Sequence, residues 1–331
     1  MRDPWSTMSA REHGIGVVEG VRVGHATDPV GATGCTVVVC DADCVGGVDI
    51  RGGATATHET HLLEPTGLVD RVHAIVLAGG SAPGLACIDG VTRRLREQGR
   101  GFRTAHGVVP ITPGAAIFDL GIGDPDAKPG ADDAVRAHKN ATRDPGRGSV
   151  GAGTGATVGK IMGHARAMRG GVGCAGWVCE DGLAVGAVSV VNAYGDLVDS
   201  GSGRIIAGAR DGGDAPLGTV RTLIDAPAPD VGFGTNTTLV VVATNARLTK
   251  TQACIVARIA QGGIARGVHP CHTQFDGDMV FTLATGAIEA DPSRVGVVAG
   301  AVVGASILDA ALEASDFGAV PSAGTLGWGG A

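Results

Sequence analysis

The stretch GFGTNTTLVVVATN (232–245) changes character part-way along, from a Gly-rich polar approach to a continuous apolar run. TTLVVVATN (237–245) is apolar at consecutive positions from Leu239 to Ala243, as in a strand covered on both faces. GLAVGAVSVVNAYG (182–195) reads the same way, so the two predict neighbouring central strands. Between them, from Ser200 to Gly234, Gly, Ala, Pro and Asp dominate, the composition of an exposed, mobile loop. Downstream, Thr249 to Arg266 carries Ala253, Val256, Ile259 and Ile264 near helical spacing. DMVFTLATG (278–286) reads as a further strand, and Ser293 as the N-cap of a closing Ala-rich helix. Upstream, CTVVVC (35–40) and HAIVLAGG (73–80) predict strands and GLACIDGVTRRLREQG (84–99) a helix. The alternation is that of a mixed α/β chain, and no internal repeat is present.

Composition narrows the function classes. With 331 residues, 44% of them hydrophobic, the chain can bury a large core. Only 3% are aromatic and 57 are Gly, so that core must be aliphatic and closely packed. A net charge of −7, with no basic cluster interleaved with aromatics, argues against nucleic acid. The eight cysteines lack CxxC spacing and mostly sit in apolar runs, which predicts buried free thiols and a reducing cytoplasm. MRDPWSTMSAREHG (1–14) lacks an apolar signal core and reads as a flexible extension, leaving 15–331 as one domain. The longest apolar stretch, Val295 to Leu308, is shorter than the ~20 residues a bilayer span needs, so no membrane span is expected.

The chemistry sits where the loop meets the strand. A threonine hydroxyl is a weak nucleophile, but a threonine that becomes a chain N-terminus carries its own base, the α-amine. Attack of the Thr237 hydroxyl on the Asn236 carbonyl would create that terminus, by way of an ester that water opens. Taken alone, a polar turn leading into a β-branched strand start explains the same residues.

The surroundings decide between them. GVRVGHATD (20–28), VGGVDIRGG (45–53), VLAGGSAPGL (76–85), PGAAIFDL (113–120), GAGTGATVGK (151–160), VVNAYG (190–195), NTTLVVVATN (236–245) and HTQFDGDMVF (272–281) occur in this order. In these segments, over nearly its whole length, the chain resembles the DmpA-type family of self-processing aminopeptidases and amidases. That family includes L-aminopeptidase/D-esterases, β-aminopeptidases, a pantetheine-cleaving amidase and the 6-aminohexanoate (nylon) oligomer hydrolases. The resemblance implies a four-layer αββα sandwich of N-terminal-nucleophile type, cut into an α part (1–236) and a β part (237–331). It also implies a homotetramer of processed pairs acting on a small amide or peptide substrate, with no metal and no organic cofactor.

Carried over residue by residue, the resemblance makes Asn236 the residue before the cut and Thr237 the nucleophile. Lys160 looks like the family lysine, a cation able to favour the neutral amine and stabilise charge on the hydroxyl oxygen. Asn192 looks like the oxyanion-hole asparagine, although a turn before Tyr194-Gly195 would also suit Asn. Asp276 and Asp278 are implied to orient the Thr237 hydroxyl and amine. Residues two apart entering a strand point the same way, so both can face one site. Phe118, where some members supply a tyrosine, and Ser81 are the candidate substrate contacts. Pro83 stands where an aromatic is common, and HETH (58–61) replaces a more usual Arg-Glu-Thr-Asp. These departures concern the substrate pocket more than the reaction.

Other signals carry less. GVGCAG (171–176) fits a dinucleotide-binding pattern, but a strand and not a helix follows, so it reads as a turn. GATVGK lacks the first Gly of a phosphate loop and ends before Ile161. His58 and His61 have no acidic third ligand nearby and read as surface histidines. His269 and His272 flank Cys271, and His272 reads as structural. The expected function is a self-processing amide hydrolase. The alternatives are an acyltransferase of the same chemistry, an unprocessed small-molecule-binding protein and, weakest, a dinucleotide-dependent oxidoreductase.

Overall fold

One long strand organises the molecule, and a computed structural model describes residues 14–227 and 236–329 around it. The strands used below are β1 (Val21–Asp28), β2 (Thr33–Ile50), β3 (Ala56–His58), β4 (Arg71–Ala78), β5 (Gly114–Ala116), β6 (Gly171–Val178), β7 (Ala184–Asn192), β8 (Thr237–Ala246) and β9 (Met279–Ile288). Among the described residues they form one network in the order β6-β7-β8-β9-β2-β4-β5-β3, with β1 also on β2. The first half of β2 lies between β1 and β4, whereas its second half pairs with β9. A register irregularity between Val39 and Cys44 separates the halves, so β2 passes from one layer of sheet to the other.

The two layers bury their inner faces against each other. Val21, Val23, Val38, Ile75 and Leu77 from one meet Val188, Val190, Leu239, Val241 and Phe281 from the other. Along β8 the intervening residues Val240 and Val242 face outward, against α3 (Lys250–Gly267) and α4 (Pro292–Leu312). Both faces of β8 are therefore covered, which is why its sequence is a run and not an alternation. On the far side, α1 (Ile88–Glu97) and α2 (Ala131–Lys139) close over Val37, Val39, Ala74 and Val76. The result is the expected four-layer αββα sandwich. β8 and β9 are parallel, joined through α3, whose N-cap Thr249 forms a capping box with Gln252.

Several expectations need correction. α4 begins at Pro292 and is capped by Asp291, whose side chain accepts the Arg294 N–H, so Ser293 lies inside the helix. Proline at the first helical position leaves the preceding residue as the cap. At 21 residues α4 is long and apolar enough to cross a bilayer, but 67% of its apolar window is buried within the protein, and it is a core helix. GVGCAG is not a turn: it forms most of β6.

The approach to the junction is also less of a loop than its composition predicts. It holds a short strand at Ile205–Ala207 and a helix at Thr219–Asp225. Both are tied down by buried Asp196, which accepts the Thr219 N–H and hydroxyl and the Ala209 N–H. The remainder of that loop, 228–234, and residues 1–13 of the N-terminal extension lie outside the described residues. All eight cysteines are free, six of them buried, as expected.

Candidate active site

β7 and β8 are antiparallel neighbours, and the last pair of their ladder sets Asn192 opposite Thr237. Asn236 and Thr237 are 2% and 3% exposed, so the junction is inside the protein. Two donors converge on the Asn236 carbonyl oxygen: the Thr237 hydroxyl at 2.5 Å and the Gly277 N–H at 2.9 Å. The Thr237 hydroxyl thus rests against the carbonyl of its own preceding peptide. A backbone donor already occupies the place where an oxyanion would form.

The turn carrying Gly277 is held closely. A Cβ on Gly277 would come within 2.7 Å of the Ala54 oxygen and 2.8 Å of Thr237 Oγ1. One on Gly52 would collide with the Asp276 oxygen and the Asp278 nitrogen at 2.2 and 2.3 Å. Only glycine at both positions lets RGG (51–53) and DGD (276–278) lie this close behind Thr237.

Asp276 and Asp278 are both fully buried and flank this turn. Asp278 Oδ1 accepts the Thr238 N–H at 2.7 Å, one peptide beyond Thr237. Asp276 accepts the Tyr194 N–H at 3.2 Å and the Thr273 hydroxyl at 2.6 Å. Burial, then the neighbouring Asp278 carboxylate, raises the Asp276 pKa to about 6.

Lys160 follows Gly159, whose φ of +70° turns the chain inward. Its ammonium is buried and donates to Asn192 Oδ1 at 2.8 Å and the Asn192 carbonyl at 3.0 Å. Burial lowers its pKa to about 7, against the opposing pull of Asp276 and Asp119. Asn192 is fixed further by the Thr157 N–H on its Oδ1 and by donation of one amide hydrogen to the Phe118 carbonyl at 3.0 Å. Thr237, Asn236, Lys160, Asn192, Asp276 and Asp278 are therefore brought into one buried cluster.

Phe118 enters this cluster through its backbone. Ser81 stands at its margin: its N–H donates to the Ile117 carbonyl at 2.9 Å, and neighbouring Gly80 donates to Asp119 at 2.6 Å. Asp119 was not singled out from the sequence. It is 3% exposed, also accepts the Thr33 hydroxyl at 2.7 Å, and has its pKa raised by burial. Its signal was an acidic residue inside the apolar run AAIFDL, a costly placement unless it is hydrogen-bonded. Among the described residues no His/Cys/Asp/Glu group is arranged to hold a metal ion.

This geometry can be set beside known proteins. The family model described as "Peptidase family S58" matches residues 14–319. An uncharacterized aminopeptidase of Mycobacterium leprae is 42% identical over 316 residues, covering 86% of this chain and 81% of that protein. A 6-aminohexanoate-oligomer endohydrolase of Kocuria sp. is 30% identical over 312 residues, covering 89% and 84%. Among solved structures, a Burkholderia sp. beta-aminopeptidase superposes with a TM-score of 0.72 at 21% identity, covering 98% of this chain and 97% of that one. The L-aminopeptidase D-Ala-esterase/amidase of Ochrobactrum anthropi, described as a variant of the Ntn hydrolase fold, gives 0.68 at 19%, covering 97% and 90%. At those identities the two structures speak for the fold alone. The family model and the sequence relatives speak for more: this chain is a member of peptidase family S58, the family of aminopeptidases and amide hydrolases to which nylon-oligomer hydrolases are related.

Proposed function

We propose that this hydrolase matures by cutting itself between Asn236 and Thr237, then works through an acyl-enzyme on Thr237. The observation that carries this reading is the meeting of the Thr237 hydroxyl and the Gly277 N–H at the Asn236 carbonyl oxygen. In the first stage Thr237 Oγ1 gives up its proton and bonds to the Asn236 carbonyl carbon. The Gly277 N–H holds the oxyanion, the C–N bond breaks, and the nitrogen takes a proton. Water then hydrolyses the ester, leaving a carboxylate on Asn236 and a free α-amine and hydroxyl on Thr237. Lys160, with a pKa of about 7, exists in both charge states at neutral pH and serves as the nearby proton carrier.

In the second stage the α-amine activates the Thr237 hydroxyl against a substrate amide, and Asn192, directly across the ladder, supplies the oxyanion donor. The leaving amine takes a proton from the Thr237 ammonium, and water releases the acyl group. The substrate class that fits the relatives is 6-aminohexanoate oligomers or N-terminal aminoacyl and β-aminoacyl amides. Intact mass measurement of purified wild type and Thr237→Ala tests the reading. Wild type should give two chains and the alanine variant one. An undivided wild type, or an alanine variant that splits equally well, would overturn it.

A further inference from the structure

Asp278 is fully buried, yet one of its partners reaches the surface. Its Oδ1 holds the Thr238 N–H at 2.7 Å. Its Oδ2 accepts the His272 N–H at 2.9 Å and lies 3.1 Å from the His272 ring Nδ1. The His272 side chain is 21% exposed, so the carboxylate is gripped from the protein interior on one oxygen and from the rim on the other. His272 also sits at a φ of +57°, a left-handed backbone conformation in which Gly and Asn are more at ease. The ring, bonded to a buried acid one peptide from Thr237, is placed to hold that acid.

We propose that His272 is a positioning residue for self-cleavage: its ring fixes the Asp278 carboxylate, which in turn fixes the peptide that follows Thr237. The reasoning is geometric. The Thr238 N–H belongs to the peptide plane immediately after the nucleophile, so its direction sets the backbone torsion that aims the Thr237 side chain. Without the ring, Asp278 keeps one backbone donor on each oxygen but loses the third of these contacts, the one made by a side chain, so the carboxylate is held less tightly. The Thr237 hydroxyl then spends less time against the Asn236 carbonyl, and small losses of alignment cost rate steeply.

This inference rests on the self-cleavage reading, and the experiment separates the two. The full chain is produced as wild type, His272→Gly and His272→Asn, and the appearance of the 237–331 fragment is followed over time on denaturing gels. Glycine removes the ring while relaxing the backbone, so a slow glycine variant cannot be blamed on strain. Asparagine also tolerates the left-handed conformation and offers an amide N–H close to the position of Nδ1. The glycine variant should mature about tenfold more slowly, with asparagine restoring the rate to within about threefold of wild type. If wild type splits and the glycine variant splits as fast, or if asparagine is as slow as glycine, the role of His272 is wrong while the self-cleavage reading stands. If wild type never splits, the underlying reading fails and this inference goes with it.

Discussion

Asn192 and Thr237 face each other as the terminal pair of an antiparallel ladder, although 44 residues of chain, including a folded strand and helix, separate them. The pairing places the candidate oxyanion donor and the candidate nucleophile on adjacent strands of the rigid core. Neither depends on a loop for its position, so the proposed cut would leave the geometry of the site in place.

Lys160→Met should block maturation. It replaces a buried ammonium by an apolar chain of similar length, removing the proton carrier and the donor to Asn192. The rate of self-cleavage should fall about 10²-fold or more, with a lower melting temperature as well, because the Asn192 carbonyl loses its donor and Asp276 and Asp119 lose a neighbouring cation. Maturation at the wild-type rate would contradict the assignment.

The pH dependence follows from two shifts. Lys160 is lowered to about 7 in the folded chain, so its neutral form accumulates as pH rises through 7, and maturation should speed up across that interval. For stability, the unfolded chain binds more protons than the folded one between pH 7 and the ordinary lysine range. Unfolding free energy should therefore rise with pH there. Asp276 is raised to about 6, so between the ordinary carboxylate range and pH 6 the folded chain holds the extra proton, and stability should fall as pH rises. Buried His25 and Cys174 titrate in the same windows with the opposite sign, so each slope is read as a difference, by urea unfolding of Thr237→Ala at a series of pH values with and without Asp276→Asn or Lys160→Met. Opposite signs in either window would contradict the burial of these groups.

Gly277→Ala should mature about 10²-fold more slowly and still fold, with a melting temperature lowered by the clash against the Ala54 carbonyl. The added methyl meets the Thr237 hydroxyl oxygen and the Ala54 carbonyl, so either the nucleophile or the Gly277 N–H must move off the Asn236 carbonyl. A time course of cleavage beside a circular dichroism melt separates this from misfolding. Unchanged maturation would remove Gly277 from the account.

Asp291→Ala should cost ~1 kcal/mol in urea unfolding through loss of the α4 cap, whereas Ser293→Ala should stay within about 0.5 kcal/mol. The reverse order would restore Ser293 as the cap.

What the sequence revealed depended on the range of the interaction behind each feature. The central strands were legible because burial on both faces writes itself into consecutive residues such as Leu239 to Val242. The cap of α4 was misread because Ser293 is a good cap in isolation, whereas Asp291 followed by Pro292 is a better one in context. The folded segment before the junction was hidden because Asp196, and not its own composition, holds it in place. Asp119 and the Gly277 N–H escaped for a related reason, since an acid in an apolar run and a glycine in a turn gain meaning only from what packs beside them. Lys160, Asn192, Asp276 and Asp278 were reached through family resemblance, and their convergence depends on strand register that no local pattern encodes.

The central claim is that an internal threonine becomes a chain end, and N-terminal sequencing of active protein tests it most directly. The account predicts two sequences in equal amounts, one from the start of the chain and one reading Thr-Thr-Leu-Val from residue 237. Fully active protein that yields only the first would contradict it.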